Sequence, residues 1–166
     1  MTATYDSIAT STFTSAGSVE FSSISQNYTD LVLIISASCN GTDGGTMYFR
    51  VGNGSLDTGS NYSFTNLAGT TSAVSSRGTS QTNGLALGWS GGMKASEISN
   101  VILQFQNYSN TTTNKTMLSR ANSTGIVVET SVSLWRSTSA INILNFYMTG
   151  GRNLTGTATL YGIKAE

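Results

Sequence analysis

The side chains able to do chemistry in this chain are few, and each lacks the partner it would need. Cys39 is the sole thiol. A nucleophilic thiol needs a base to form the thiolate, and the chain has no His, so only a Lys or a carboxylate could serve. Cys39 also shares its period-2 parity with Leu33, Ile35 and Ala37, which reads as a buried structural thiol. Ser and Thr make up nearly a third of the residues. A nucleophilic Ser requires an activating base and an oxyanion hole, and the chain has no His to act as that base. The carboxylates are Asp6, Glu20, Asp30, Asp43, Asp57, Glu97, Glu129 and Glu166. Glycoside hydrolysis needs two of them flanking a sugar, and none lies in a distinctive motif. Asp43 and Asp57 border Gly-rich loops. They suit either a calcium ion or an Asx turn, and the turn is favoured because a hard cation wants several carboxylates together. Asn-x-Ser/Thr triplets begin at Asn27, Asn40, Asn53, Asn61, Asn107, Asn110, Asn114, Asn122 and Asn153. With these residues so common, chance accounts for many of the triplets, and no signal peptide accompanies them. No catalytic residue, cofactor or metal is expected, and a hydrolase is the weakest functional reading.

Contact chemistry is better supplied. Aromatic rings stack on sugars and anchor protein interfaces, and Tyr28, Tyr62, Trp89, Tyr108 and Trp135 are the candidates. Trp135, beside Leu134, reads as core. Tyr28 and Tyr108 fall in corners between apolar stretches and suit either a partner contact or a corner hydrogen bond. Tyr28, Tyr62 and Tyr108 are taken as the candidate partner-contact residues.

Charge limits the partners. Only 10% of the residues are charged, and 8 basic groups balance 8 acidic ones. The bases are scattered with no run, so nucleic acid is not expected, since backbone binding needs clustered Lys and Arg. No apolar run longer than Leu31–Ile35 occurs, far short of a membrane-spanning helix, and no membrane partner is expected. The N-terminus has neither a basic stretch nor an apolar one, which predicts synthesis in a cytosol.

The elements that must position these groups read as β throughout. Alternation predicts strands at Tyr5–Ala9, Ser18–Phe21, Leu31–Cys39, Met47–Val51, around Leu85–Trp89, Val101–Phe105, Lys115–Ala121, Ile126–Arg136, Ile141–Met148 and Thr157–Ile163, with weaker candidates near Tyr62 and Phe64. The mixed apolar parity near Glu129 predicts a bulge or a strand that changes sheets. A short helix is a candidate at Lys94–Ser99. Turn signals such as Asn40-Gly41, Asn83-Gly84 and Gly150-Gly151 separate the strands. Gln26-Asn27-Tyr28-Thr29 is echoed by Gln106-Asn107-Tyr108-Ser109, which predicts two similar corners. The pattern points to a sandwich or barrel in one domain spanning residues 1–166.

Several segments together resemble a family of small structural domains of tailed phages. They are Tyr5-Asp6-Ser7-Ile8-Ala9-Thr10, the run from Phe21 to Leu33, Asn107-Tyr108-Ser109-Asn110, Leu134 to Ile141, and Ala158-Thr159-Leu160-Tyr161-Gly162-Ile163. The family's first corner usually carries Pro where this chain has Ser25. The resemblance implies an all-β fold, a jelly-roll-like antiparallel β-sandwich. It also implies a virion protein, either a free-standing capsid decoration (cement) protein or a module of a tail or fibre. The chain starts at Met1 and shows no stalk or fibre repeat, which favours the decoration protein. The expectation is therefore a protein without enzymatic activity that is made in the bacterial host cytoplasm. It would bind the outer phage head, bridge major capsid protein subunits, and trimerise with itself. The alternative is a receptor- or glycan-binding module of a tail tip or fibre. The lack of Pro and scarcity of Lys leave strand edges unguarded, which predicts that neighbouring subunits cover them.

Overall fold

Residues 5–41, 45–88, 92–95, 97–123 and 127–164 are described by the structure, a computed structural model. The alternating segments become strands: β1 (Tyr5–Ala16), β2 (Ser18–Phe21), β3 (Asp30–Cys39), β4 (Met47–Asn53), β5 (Ser55–Leu56), β6 (Tyr62–Gly69) and β7 (Ala73–Gln81). The second half supplies β8 (Gly84–Leu87), β9 (Ser99–Phe105), β10 (Lys115–Ser123), β11 (Val127–Trp135), β12 (Ile143–Met148) and β13 (Leu154–Ile163). No helix forms among the described residues. Near the expected helix at Lys94, the backbone instead bonds to the end of β3, with Cys39 N donating to Lys94 O at 3.4 Å and Ala95 N to Gly41 O at 3.0 Å.

The strands form two antiparallel sheets. One has eight strands in the order β1-β13-β3-β9-β10-β11-β6-β7, and the other runs β2-β12-β4-β5 with β8 also paired to β4. Without the hairpins β6–β7 and β10–β11 and the two-residue β5, the sheets reduce to β1-β13-β3-β9 facing β2-β12-β4-β8. The chain crosses between these two sheets at every step except β4 to β8. This is the jelly-roll arrangement of two four-stranded sheets. The two hairpins lengthen only the first sheet, doubling its width.

The inward positions of both sheets meet in one apolar cluster. Leu31, Leu33, Ile35 and Ala37 of β3 pack with Phe49 and Val51 of β4, Leu103 and Phe105 of β9, Phe146 of β12 and Leu160 of β13. Phe49 and Phe105 meet edge-on across the sheets, with ring centres 5.8 Å apart. Each such side chain contributes about 1.5–3 kcal/mol on full burial.

The inward face of the hairpin extension carries a polar patch. Glu129, Ser131 and Ser133 of β11 and Ser119 of β10 are all buried. They lie over β8, whose four residues are buried and whose only strand partner among the described residues is β4. Buried backbone groups must be paired, and these side chains pair them. Ser131 Oγ donates to Leu85 O at 2.8 Å, Leu85 N donates to Ser133 Oγ at 3.1 Å, and Ser119 Oγ donates to Ala86 O. Gly88 N donates to Glu129 Oε1. The mixed parity of β11 therefore does not mark a bulge or a change of sheet. Its register is unbroken against both β10 and β6.

Bulges occur elsewhere, in β1 against β13 and in β6 against β7. β1 also runs well past the expected Ala9. Its second half shows little apolar alternation, yet its Thr side chains suit a strand, and Thr10 and Thr159 hydroxyls meet at 3.0 Å across the pair. The Gly- and Ser-rich stretch after Gly52, which showed only weak strand signals, holds β5, β6 and β7.

Candidate interaction surface

Two of the three tyrosines expected at a contact surface are internal. Tyr62 opens β6 and is fully buried. Its hydroxyl accepts from Val51 N at 3.0 Å and faces the carbonyls of Val51 at 3.0 Å and Asp57 at 3.2 Å, to which it donates. Tyr108 is also fully buried, and its hydroxyl donates to Ser25 O. Neither ring can meet a partner as folded. Trp135 is buried too, and its Nε1 donates to Asp57 Oδ2 at 2.7 Å. Trp89 and Asp43 lie outside the described residues.

Asp57 takes the Asx-turn role, accepting from Gly59 N at 2.8 Å and from Asn61 Nδ2 at 2.9 Å. Burial pushes its carboxyl up, but the bonds from Trp135, Asn61 and Gly59 outweigh this and hold its pKa below the ordinary value. No group of three or more metal-ligating side chains occurs among the described residues. Cys39 is buried, and its thiol donates to Met93 O at 2.9 Å.

The two echoed corners sit against each other. Asn107 takes a left-handed conformation with φ 51°, and its N donates to Asp30 Oδ1 at 2.7 Å. Ser109 Oγ donates to Tyr28 O at 3.4 Å. Gln26 Nε2 donates to Ile24 O at 2.8 Å and to Ile141 O at 2.9 Å. These bonds, with the one from Tyr108, hold the Ser25 corner without Pro.

Tyr28 is half-buried. Its ring lies on Gly162, where an added Cβ would collide with the ring carbons. Lys164 Nζ sits 5.4 Å from the ring centre. Gly162→Ala is expected to displace the ring at a cost of about 1–3 kcal/mol, as for overpacking elsewhere. Urea unfolding tests this, and an unchanged midpoint would mean that the ring does not need that space.

An open surface lies elsewhere, on the outward face of the eight-stranded sheet. Register places Thr159, Ile34, Ile102, Arg120, Thr130, Leu67 and Ser75 in one row across the strands. The neighbouring row carries Tyr161, Val32, Gln104, Leu118, Val132, Thr65 and Arg77. On this face Val128 is 71% exposed, Leu67 58% and Val132 49%. A shallow depression of about 450 Å³ lies among Leu67, Ile102, Arg120, Val128 and Thr130. Seven interstrand steps of about 4.8 Å and strands of about 7 residues give a face of roughly 800 Å². That is about the area each partner gives to a standard-size interface.

Sequence reading missed this face because β9, β10 and β11 carry apolar residues on both parities. The mixed parity near Glu129 was the available signal: Val128 and Val132 point outward because Glu129, Ser131 and Ser133 point inward.

No protein-family model matches the chain, and no curated protein matches it. Among solved structures, it is similar to a double mutant of the alginate lyase Aly36B in complex with an alginate tetrasaccharide. The identity is 10% and the TM-score 0.31, over 84% of this chain and 72% of the other. The expectation of no enzymatic activity is corrected on this finding, because the neighbour is an enzyme, and the exclusion is withdrawn. A likeness this distant carries no argument for a lyase reaction here.

Proposed function

We propose that the chain is a virion surface protein of a tailed phage. In this reading it decorates the head by laying the outward face of its long sheet on the shell and bridging neighbouring major capsid protein subunits. The observation that carries this reading is the uncovered eight-stranded face, with Leu67, Val128 and Val132 exposed among hydroxyls and amides. The jelly-roll sandwich agrees with the fold implied by the phage-like segments. Binding through a broad, weakly charged surface suits a lattice, where many copies held close together are retained strongly by effective concentration. Among the described residues the long sheet ends in two edge strands, β1 and β7, each paired on one side only, and trimerisation on the shell would cover such edges. The alternative, a receptor- or glycan-binding tail module, drew on Tyr28, Tyr62 and Tyr108. It loses support from the burial of Tyr62 and Tyr108.

The test is co-sedimentation with expanded shells that lack the protein. The protein is expected to pellet with the shells, and Val128→Asp to reduce pelleting about tenfold or more. Burying an unpaired carboxylate costs more than the ~1.4 kcal/mol that a tenfold change represents. Because Val128 is exposed, the urea midpoint of the variant should stay near that of the parent. A parent protein that does not pellet overturns the reading.

A further inference from the structure

We infer that the long-sheet face is built for an acidic protein surface, one with carboxylates flanking an aliphatic centre. This rests on the proposed shell binding and specifies the chemistry of the partner. The chain as a whole is neutral by formal charge, but its outward sheet face is not. Arg120 on β10 and Arg77 on β7 are both exposed and point to the same side, as the register shows. Neither has an ion-pair or hydrogen-bond partner among the described residues, where the one ion pair joins Lys164 to Asp6.

The carboxylates in the strands of this sheet are Asp6, Asp30 and Glu129. Glu129 faces inward and is buried, accepting from Gly88 N and from Asn66 Nδ2. Asp6 is held by Lys164 at 2.6 Å. Asp30 lies at the start of β3 and is engaged by Asn107 N. The two guanidinium groups therefore stand free on a face whose centre holds no carboxylate.

Three strand steps and a two-residue offset separate Arg120 from Arg77, so their backbones lie roughly 15 Å apart. Leu67, Thr130, Val132 and Thr65 occupy the surface between them. Arg presents a planar fork that suits carboxylates and tolerates partial burial. A complementary partner would bring carboxylates with about that spacing and aliphatic side chains between them. Matching charge would speed docking and set its register.

Shell co-sedimentation of Arg77→Glu/Arg120→Glu separates this inference from the reading beneath it. The double reversal is expected to lower pelleting about tenfold or more, Arg77→Lys/Arg120→Lys to retain most of it, and raised salt to weaken the parent, as screening shortens the reach of surface charges. The urea midpoint of the reversal should match the parent, since neither Arg holds the fold together. If the parent pellets and the reversal pellets equally well, the acidic-partner inference is overturned while shell binding stands. If the parent does not pellet, both fall.

Discussion

Replacing Ser119, Ser131 and Ser133 together by Ala is expected to destabilise the fold by about 3 kcal/mol or more, although each change makes the interior more apolar. An unsatisfied buried polar group costs about 1–3 kcal/mol. The triple variant would orphan the carbonyls of Leu85 and Ala86 and the N–H of Leu85. These groups belong to β8, whose only strand partner among the described residues is β4. The expected loss therefore falls on the contact between β8 and the β10–β11 hairpin. Equilibrium urea unfolding measures it. Hydrogen exchange should show β8 amides losing protection ahead of those in β3, which is paired on both sides. A triple variant as stable as the parent would mean that water, not serine, satisfies β8.

Tyr62→Ala is expected to cost about 3–5 kcal/mol, in the range for losing a large buried aromatic side chain. Tyr62→Phe separates the ring from the hydroxyl. It keeps the packing but leaves Val51 N without its acceptor, a cost of about 1–3 kcal/mol. The pair also differs from the parent in pH dependence. Burial, the largest cause, pushes the Tyr62 pKa well above its ordinary value of 10.0, with the Asp57 charge adding to the rise and the Val51 hydrogen bond opposing it. The unfolded tyrosine thus releases its proton at lower pH than the folded one. Its contribution is fully present below about pH 10 and is lost as pH climbs toward the folded pKa. Tyr108 and Tyr48 are raised in the same direction, chiefly by burial. Urea midpoints of parent and Tyr62→Phe, taken at neutral pH and above pH 10, should converge as pH rises. A gap that stays constant would show that Tyr62 ionises equally in both states.

Much of the fold was legible from residue spacing. Ser18–Phe21 is β2 without adjustment, and Leu33, Ile35, Ala37 and Cys39 face inward as their alternation requires. The less legible parts share one cause. β7 reads Ala-Val-Ser-Ser-Arg-Gly-Thr-Ser-Gln, and most of it is exposed. An edge strand that buries little carries little apolar pattern to read. Its existence follows from pairing with β6, a long-range fact that local composition does not contain. The tyrosines illustrate a second cause. Corner placement predicted a hydrogen bond or a partner contact for Tyr108 equally well. The choice depended on whether Ser25 O lay within reach, and bringing the two corners together decided that.

The sequence alone determined that this is a β protein without imidazole chemistry, because strand period and the absence of His are local properties. The tertiary structure decided which face of each strand meets the second sheet. Where both parities carry apolar groups, as in β11, period-2 alternation defines two faces but not which one is inside. That choice was made by β8, whose backbone is paired with β4 on one side and takes hydroxyls from the hairpin on the other. Turning the serines inward left Val128 and Val132 on an open surface with Arg120.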